Sequence, residues 1–81
     1  MTHGYIDWNA WHDQKYRGTY FVSDCEHEGD IDHCRNEVRD AGGIVDGWEW
    51  DGQDCGEAWI YYHCDSKEAL DEVKRKIGDG I

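Results

Sequence analysis

The sequence predicts an α+β fold, a small two-layer sandwich in which an antiparallel sheet carries two helices on one face. Three observations predict it: an apolar stripe at helical spacing over residues 30–41, a second over residues 66–77, and strand-like aromatic segments before and between them.

Residues 18–25 (GTYFVSDC) are rich in β-branched and aromatic side chains and read as a strand. Ile31, Cys34, Val38 and Ala41 then fall at helical spacing; Asp30 stands near the start, where negative charge suits the helix dipole, and Gly42-Gly43 ends the helix. Residues 44–51 (IVDGWEWD) and 57–64 (EAWIYYHC) read as two strands of a hairpin joined by the glycine-containing turn 52–56. Ser66 is an expected N-cap for the second helix, whose face carries Ala69, Leu70, Val73 and Ile77 and whose last turn holds Lys74, Arg75 and Lys76. The order β-α-β-β-α is most of a ferredoxin-like split βαβ unit, without its usual last strand. Residues 5–8 are expected to fill that edge by pairing with the 18–25 strand, with 9–17 as a polar loop.

Length and composition fit one domain, residues 1–81, with a limited core. The core candidates are mostly aromatic: Trp8, Trp11, Trp48, Trp50, Trp59, five tyrosines and Phe21. Low hydropathy and high charge alone suggest disorder, but disordered chains are poor in aromatics and rich in proline, and this chain has no proline. In residues 57–64, Ala58, Ile60, Tyr62 and Cys64 share one face of the strand while Trp59, Tyr61 and His63 share the other. The helix-free face of the sheet is therefore aromatic. Either Trp8 and Trp11 fold over it, or it stays partly exposed as a docking or dimer surface.

The formal net charge is -11, with 12 Asp and 7 Glu against 4 Lys and 4 Arg. Such a surface repels nucleic-acid phosphate and anionic membrane, so direct nucleic-acid and membrane partners are not expected. No stretch is apolar enough to span a membrane, and the start Met1-Thr2-His3-Gly4 carries no basic or apolar signal segment, so a cytoplasmic location is expected. Five acids alternate through Asp24, Glu26, Glu28, Asp30 and Asp32. The segment resembles the first nine positions of an EF-hand calcium loop, but position twelve is Arg35 where a bidentate glutamate should stand, and a strand precedes it instead of a helix. A solvated acidic loop or a negative patch facing a basic partner is the expectation.

The form Asp-Cys-x7-His-Cys occurs twice, at Asp24-Cys25 with His33-Cys34 and at Asp54-Cys55 with His63-Cys64, yet the surrounding residues do not align. Zinc is not expected, because no cysteine pair has the two-to-four-residue spacing of a zinc knuckle. Cys34, on the helical stripe, reads as a small buried hydrophobe, and Cys25 and Cys55 are the pair best placed for a disulfide in an oxidising compartment. No cofactor is implied. Nor is an enzyme: there is no phosphate-cradling glycine loop, nucleophile elbow or metal-protease helix, and nothing in the spacing assembles His12, His27, His33 or His63 with a nucleophile.

The leading expectation is a small acidic binding protein that blocks a basic, nucleic-acid-binding surface of a partner protein. Duplex DNA carries about one charge per ~1.7 Å, and a dense carboxylate face competes for the same Lys/Arg channel. The patch is expected at one end of the sheet, from Asp24, Glu26, Glu28, Asp30, Asp32, Glu49, Asp51 and Asp54, with Trp50 as apolar anchor. In general character alone, this composition resembles the small acidic inhibitors that phages use against host nucleases, including anti-CRISPR and anti-restriction proteins. The alternatives are a solubility-adapted halophilic domain that self-associates through its aromatic face, as a homodimer, and a small metal-binding module.

Overall fold

A computed structural model describes residues 3–23, 25, 28–51 and 56–77. Its elements in chain order are β1 (His3–Ile6), α1 (Trp8–Asp13), β2 (Tyr16–Val22), α2 (Glu28–Ala41), β3 (Ile44–Trp50), β4 (Ala58–Cys64) and α3 (Lys67–Ile77). The strands form one antiparallel sheet in the order β1-β3-β4-β2, so the chain is the expected small α+β sandwich. Because β4 pairs antiparallel with both β2 and β3, those two strands run parallel on either side of it, with α2 as their crossover.

The helix ends follow from local chemistry. The Ser66 hydroxyl accepts the Ala69 N–H at 3.1 Å and caps α3 as expected. At the end of α2, the Gly43 N–H donates to the Val38 carbonyl at 2.9 Å and the Gly42 N–H to Arg39 at 3.0 Å. With Gly42 at a φ of 112°, this is a Schellman motif that only glycine enters cheaply.

The core lies between the sheet and helices α2 and α3. Ile31, Cys34, Val38 and Ala41 of α2 and Leu70 and Val73 of α3 are buried against Ala58, Ile60, Tyr62 and Cys64 of β4. Burial alternates along β4 as a period of two requires.

Three expectations about the N-terminal region are corrected. Residues 5–8 were expected to pair with the 18–25 strand; instead β1 joins the opposite edge, with Tyr5 beside Trp48 and Ile6 beside Gly47. Gly47 permits this approach, because a Cβ there would meet the Tyr5 carbonyl and the Ile6 backbone. Residues 9–17 were expected to be a polar loop, but residues 8–13 form α1, capped by Asp7, whose carboxylate accepts the Ala10 N–H at 3.1 Å. This six-residue helix has no buried residue of its own, and its stability comes from the sheet face beneath it. The strand expected over 18–25 is shifted to 16–22.

Leu70 is 9% exposed in the core and Tyr5 is 67% exposed on the edge strand. Leu70→Ala should therefore destabilise the protein by about 2–5 kcal/mol, and Tyr5→Ala by well under ~1 kcal/mol, in denaturant titrations.

Candidate functional site

The site is built at one end of the sheet, where β2 and β3 finish and β4 and α2 begin. Val22, Ala58 and Trp50 lie side by side in the last row of the sheet. Beyond that row the loop after β2 is tied to the β3–β4 hairpin. The Cys25 N–H donates to the Gly56 carbonyl at 2.6 Å, and the Trp50 indole N–H donates to the Cys25 carbonyl at 2.8 Å. Gly56, at a φ of 59°, makes the close approach possible, since a Cβ would stand 2.6 Å from the Cys25 carbonyl oxygen. The Asp51 N–H donates to the Glu57 carbonyl at 2.9 Å and closes the hairpin base.

These bonds bring two acidic stretches of the chain together. There is no Lys or Arg between Arg17 and Arg35, or between Arg39 and Lys67. The first of those intervals holds Asp24, Glu26, Glu28, Asp30 and Asp32; the second holds Asp40, Asp46, Glu49, Asp51, Asp54, Glu57 and Asp65, of which Glu49, Asp51, Asp54 and Glu57 belong to the hairpin end of the chain segment. Asp24, Glu26 and Asp54 lie outside the described residues, although Cys25 and Gly56, their near neighbours in the chain, are bonded to each other.

The described members of the expected patch divide between the two faces of the sheet. Glu28, Asp30 and Asp32 fall in the first turns of α2, where the acids suit the positive end of the helix dipole. On a helix, residues two apart point to different sides, so Asp30 and Asp32 do not converge as calcium-loop ligands would. Asp32 is exposed and paired with Arg35, whose guanidinium lies 5.6 Å over the Trp48 ring. Asp51 is half-buried at the hairpin base. Glu49 lies on the face away from α2 and α3, where its carboxylate accepts the Tyr61 hydroxyl at 2.6 Å.

Trp50 projects to the opposite face from Glu49. It packs against the helix-side core, and its indole N–H is bonded to Cys25. In this position it fastens the acidic loop to the sheet; it does not stand free as an anchor. The aromatic beside Glu49 is its cross-strand neighbour Trp59, which packs on Phe21 with ring centroids 5.7 Å apart. Both rings are half-buried. The alternation along β4 already sets Trp59 on this face, but its company with Glu49 depends on the register of β3.

Farther along the same face, α1 covers Tyr61. Trp8 and Trp11 lie 4.9 and 5.2 Å from the Tyr61 ring, centroid to centroid, both edge-on. The Trp11 indole N–H donates to the Tyr62 carbonyl at 3.2 Å, close to the irregularity between Val45 and Gly47 in the β3–β4 ladder. Asp46, at that irregularity, bonds His63 Nδ1 at 2.7 Å, both side chains being more than four-fifths buried. The aromatic face is thus part covered, by Trp8 and Trp11, and part left half-buried, at Phe21 and Trp59.

Cys25, Cys34 and Cys64 are buried. Cys55 lies outside the described residues, and so does its expected pairing with Cys25. Burial, reinforced by the neighbouring Cys25, pushes the Cys34 thiol from its ordinary 9.0 up to about 12. Among the described residues, no group of three or more His, Cys, Asp or Glu side chains is arranged to hold a metal ion, and no helix is long and apolar enough to cross a membrane. No family model, curated protein or solved structure matches this chain.

Two predictions follow from this geometry. Trp50→Phe removes the donor to the Cys25 carbonyl and should cost about 1–3 kcal/mol, with faster amide exchange at Cys25 and Asp51. Stability should also fall at alkaline pH. Between pH 9 and 12 the unfolded chain releases the Cys34 proton that the folded chain retains, so this contribution is full below pH 9 and is lost as pH rises. Tyr20, raised from 10.0 to about 12 by burial and then by its bond to Glu37, adds to the loss from pH 10. The melting temperature, flat to about pH 9, should drop across this window, and Cys34→Ala should make the drop shallower.

Proposed function

We propose that this chain is a small acidic binding protein that occupies a basic, nucleic-acid-binding surface on a partner protein and so competes with the nucleic acid. The observation that carries the reading is the convergence of two carboxylate-rich stretches, free of Lys and Arg, at one end of a rigid sheet. Like charges held together raise the local negative potential well above what the same charges produce when spread out, and that potential steers a basic partner in. Acidity serving solubility alone gains nothing from such concentration. Trp59 and Phe21, half-buried next to Glu49, supply apolar area that slows release once the charges have docked.

The test compares two sets of reversals with equal change in net charge. Glu26 and Glu28 follow Cys25 in the chain and Asp51 follows Trp50, whereas Asp13, Asp40 and Asp65 are exposed near the opposite end of the sheet, where α1, α2 and β4 finish. A partner is first captured from lysate at low salt and identified. Changing the first set to lysine should then weaken its binding by about 100-fold or more and flatten the salt dependence, with little shift in melting temperature. Changing the second set should weaken binding by less than about tenfold. Equal losses from both sets would mean that net charge alone matters, and a fold lost as salt is lowered would favour a halophilic, solubility-driven origin of the acidity.

A further inference from the structure

We propose that the outer edge of β2 is a self-association site, at which a second copy of this chain adds its own β2 antiparallel and joins the two sheets into one. The inference rests on β2 and α3 and does not depend on the function proposed for the acidic end.

Among the described residues, no strand pairs with the outer side of β2. Sheet edges are ordinarily protected by shortness, bulges, proline or outward charge. The edge at β1 is four residues long. By contrast, β2 runs seven residues in unbroken register, from Tyr16 beside Cys64 to Val22 beside Ala58. It has no proline and no carboxylate in a chain of net charge -11, so two copies approach there with the least repulsion. Its one charge, Arg17, is turned back on its own molecule: the guanidinium donates to the His12 and Gln14 carbonyls at 3.1 and 2.7 Å and lies 5.2 Å over the Trp11 ring.

The strand is also complementary to itself. A two-fold axis through Thr19, perpendicular to the sheet, sets Thr19 against Thr19, Tyr16 against Val22, Gly18 against Tyr20 and Arg17 against Phe21. Thr–Thr and aromatic–β-branched neighbours are favourable cross-strand pairs, and Arg17, although its guanidinium is held by its own molecule, sets a positive charge at the position across from the second copy's Phe21. Such an axis keeps the helices of both copies on the same face. α3 packs on β2 and β4, so the axis brings two α3 helices together antiparallel. After Lys67, the first half of α3 carries Glu68, Asp71 and Glu72, and its last turn carries Lys74, Arg75 and Lys76; Glu72 is paired with Arg75 and Lys76 of its own helix, which leaves Glu68 and Asp71 to face the second copy's basic turn. Antiparallel apposition puts the acidic half of each helix against the basic half of the other, which selects a second copy as the occupant of this edge.

The test is a concentration series by analytical ultracentrifugation at physiological salt on the full chain and three variants. The wild-type chain should reach twice its monomer mass. Phe21→Lys and Phe21→Glu remove the same ring, so they share any cost to folding, but at the interface they set a like or an opposite charge against Arg17. The dimer dissociation constant of Phe21→Lys should exceed that of Phe21→Glu by roughly tenfold or more, and adding Arg17→Glu to Phe21→Lys should restore association. Independently of any variant, diluting the wild type should speed amide exchange at alternate residues of β2 alone. A wild-type chain that stays monomeric, Phe21→Lys and Phe21→Glu associating equally, or β2 exchange that ignores dilution would each overturn the proposal.

Discussion

The fold depends on the burial of Tyr62 at the middle of the central strand. It is among the largest fully buried side chains, 1% exposed, in a core otherwise made mostly of medium-sized aliphatic and thiol side chains. Its ring fits because glycines face it from two directions. A Cβ on Gly18 would stand 2.7 Å from the Tyr62 hydroxyl oxygen, and one on Gly43 3.2 Å from its ring. Gly18 belongs to β2, and Gly43 ends the α2 Schellman turn, so one side chain fixes how closely both segments approach β4. The Tyr62 carbonyl in turn receives the Trp11 indole N–H and holds α1 on the other face. A small domain has few interior positions, and this one concentrates its packing constraints on a single strand.

Concentrating carboxylates at one end works against compactness. Each acid added to the loop–hairpin junction raises the repulsion among those already there, and bulk water screens it only partly at low salt. The junction is nevertheless held by backbone and indole hydrogen bonds among Cys25, Trp50, Gly56, Asp51 and Glu57, none of which uses a carboxylate. On the face away from the helices, the Glu49 carboxylate is bonded to the Tyr61 hydroxyl. Like charges gathered at a junction held by neutral bonds make stability depend on ionic strength.

What the sequence determined by itself is whatever follows from local periodicity and caps. The stripes Ile31, Cys34, Val38, Ala41 and Ala69, Leu70, Val73, Ile77 specified α2 and α3, Ser66 and Gly42-Gly43 their ends, and the alternation from Ala58 to Cys64 the two faces of β4. The acidic runs were equally plain, and the βαββα order already pointed to their convergence. Three things were decided only by tertiary structure. The edge taken by β1 turned on where a neighbouring backbone could approach, which Gly47 permits on β3. The short helix α1, too weak to form from its own sequence, exists because the Tyr61 face lies beneath Trp8 and Trp11. The roles of Trp50 and Trp59 turned on strand register. A one-residue step exchanges the faces of a strand, and no local signal in β3 says whether Trp50 or Glu49 meets the core, or that Glu49 stands beside Trp59.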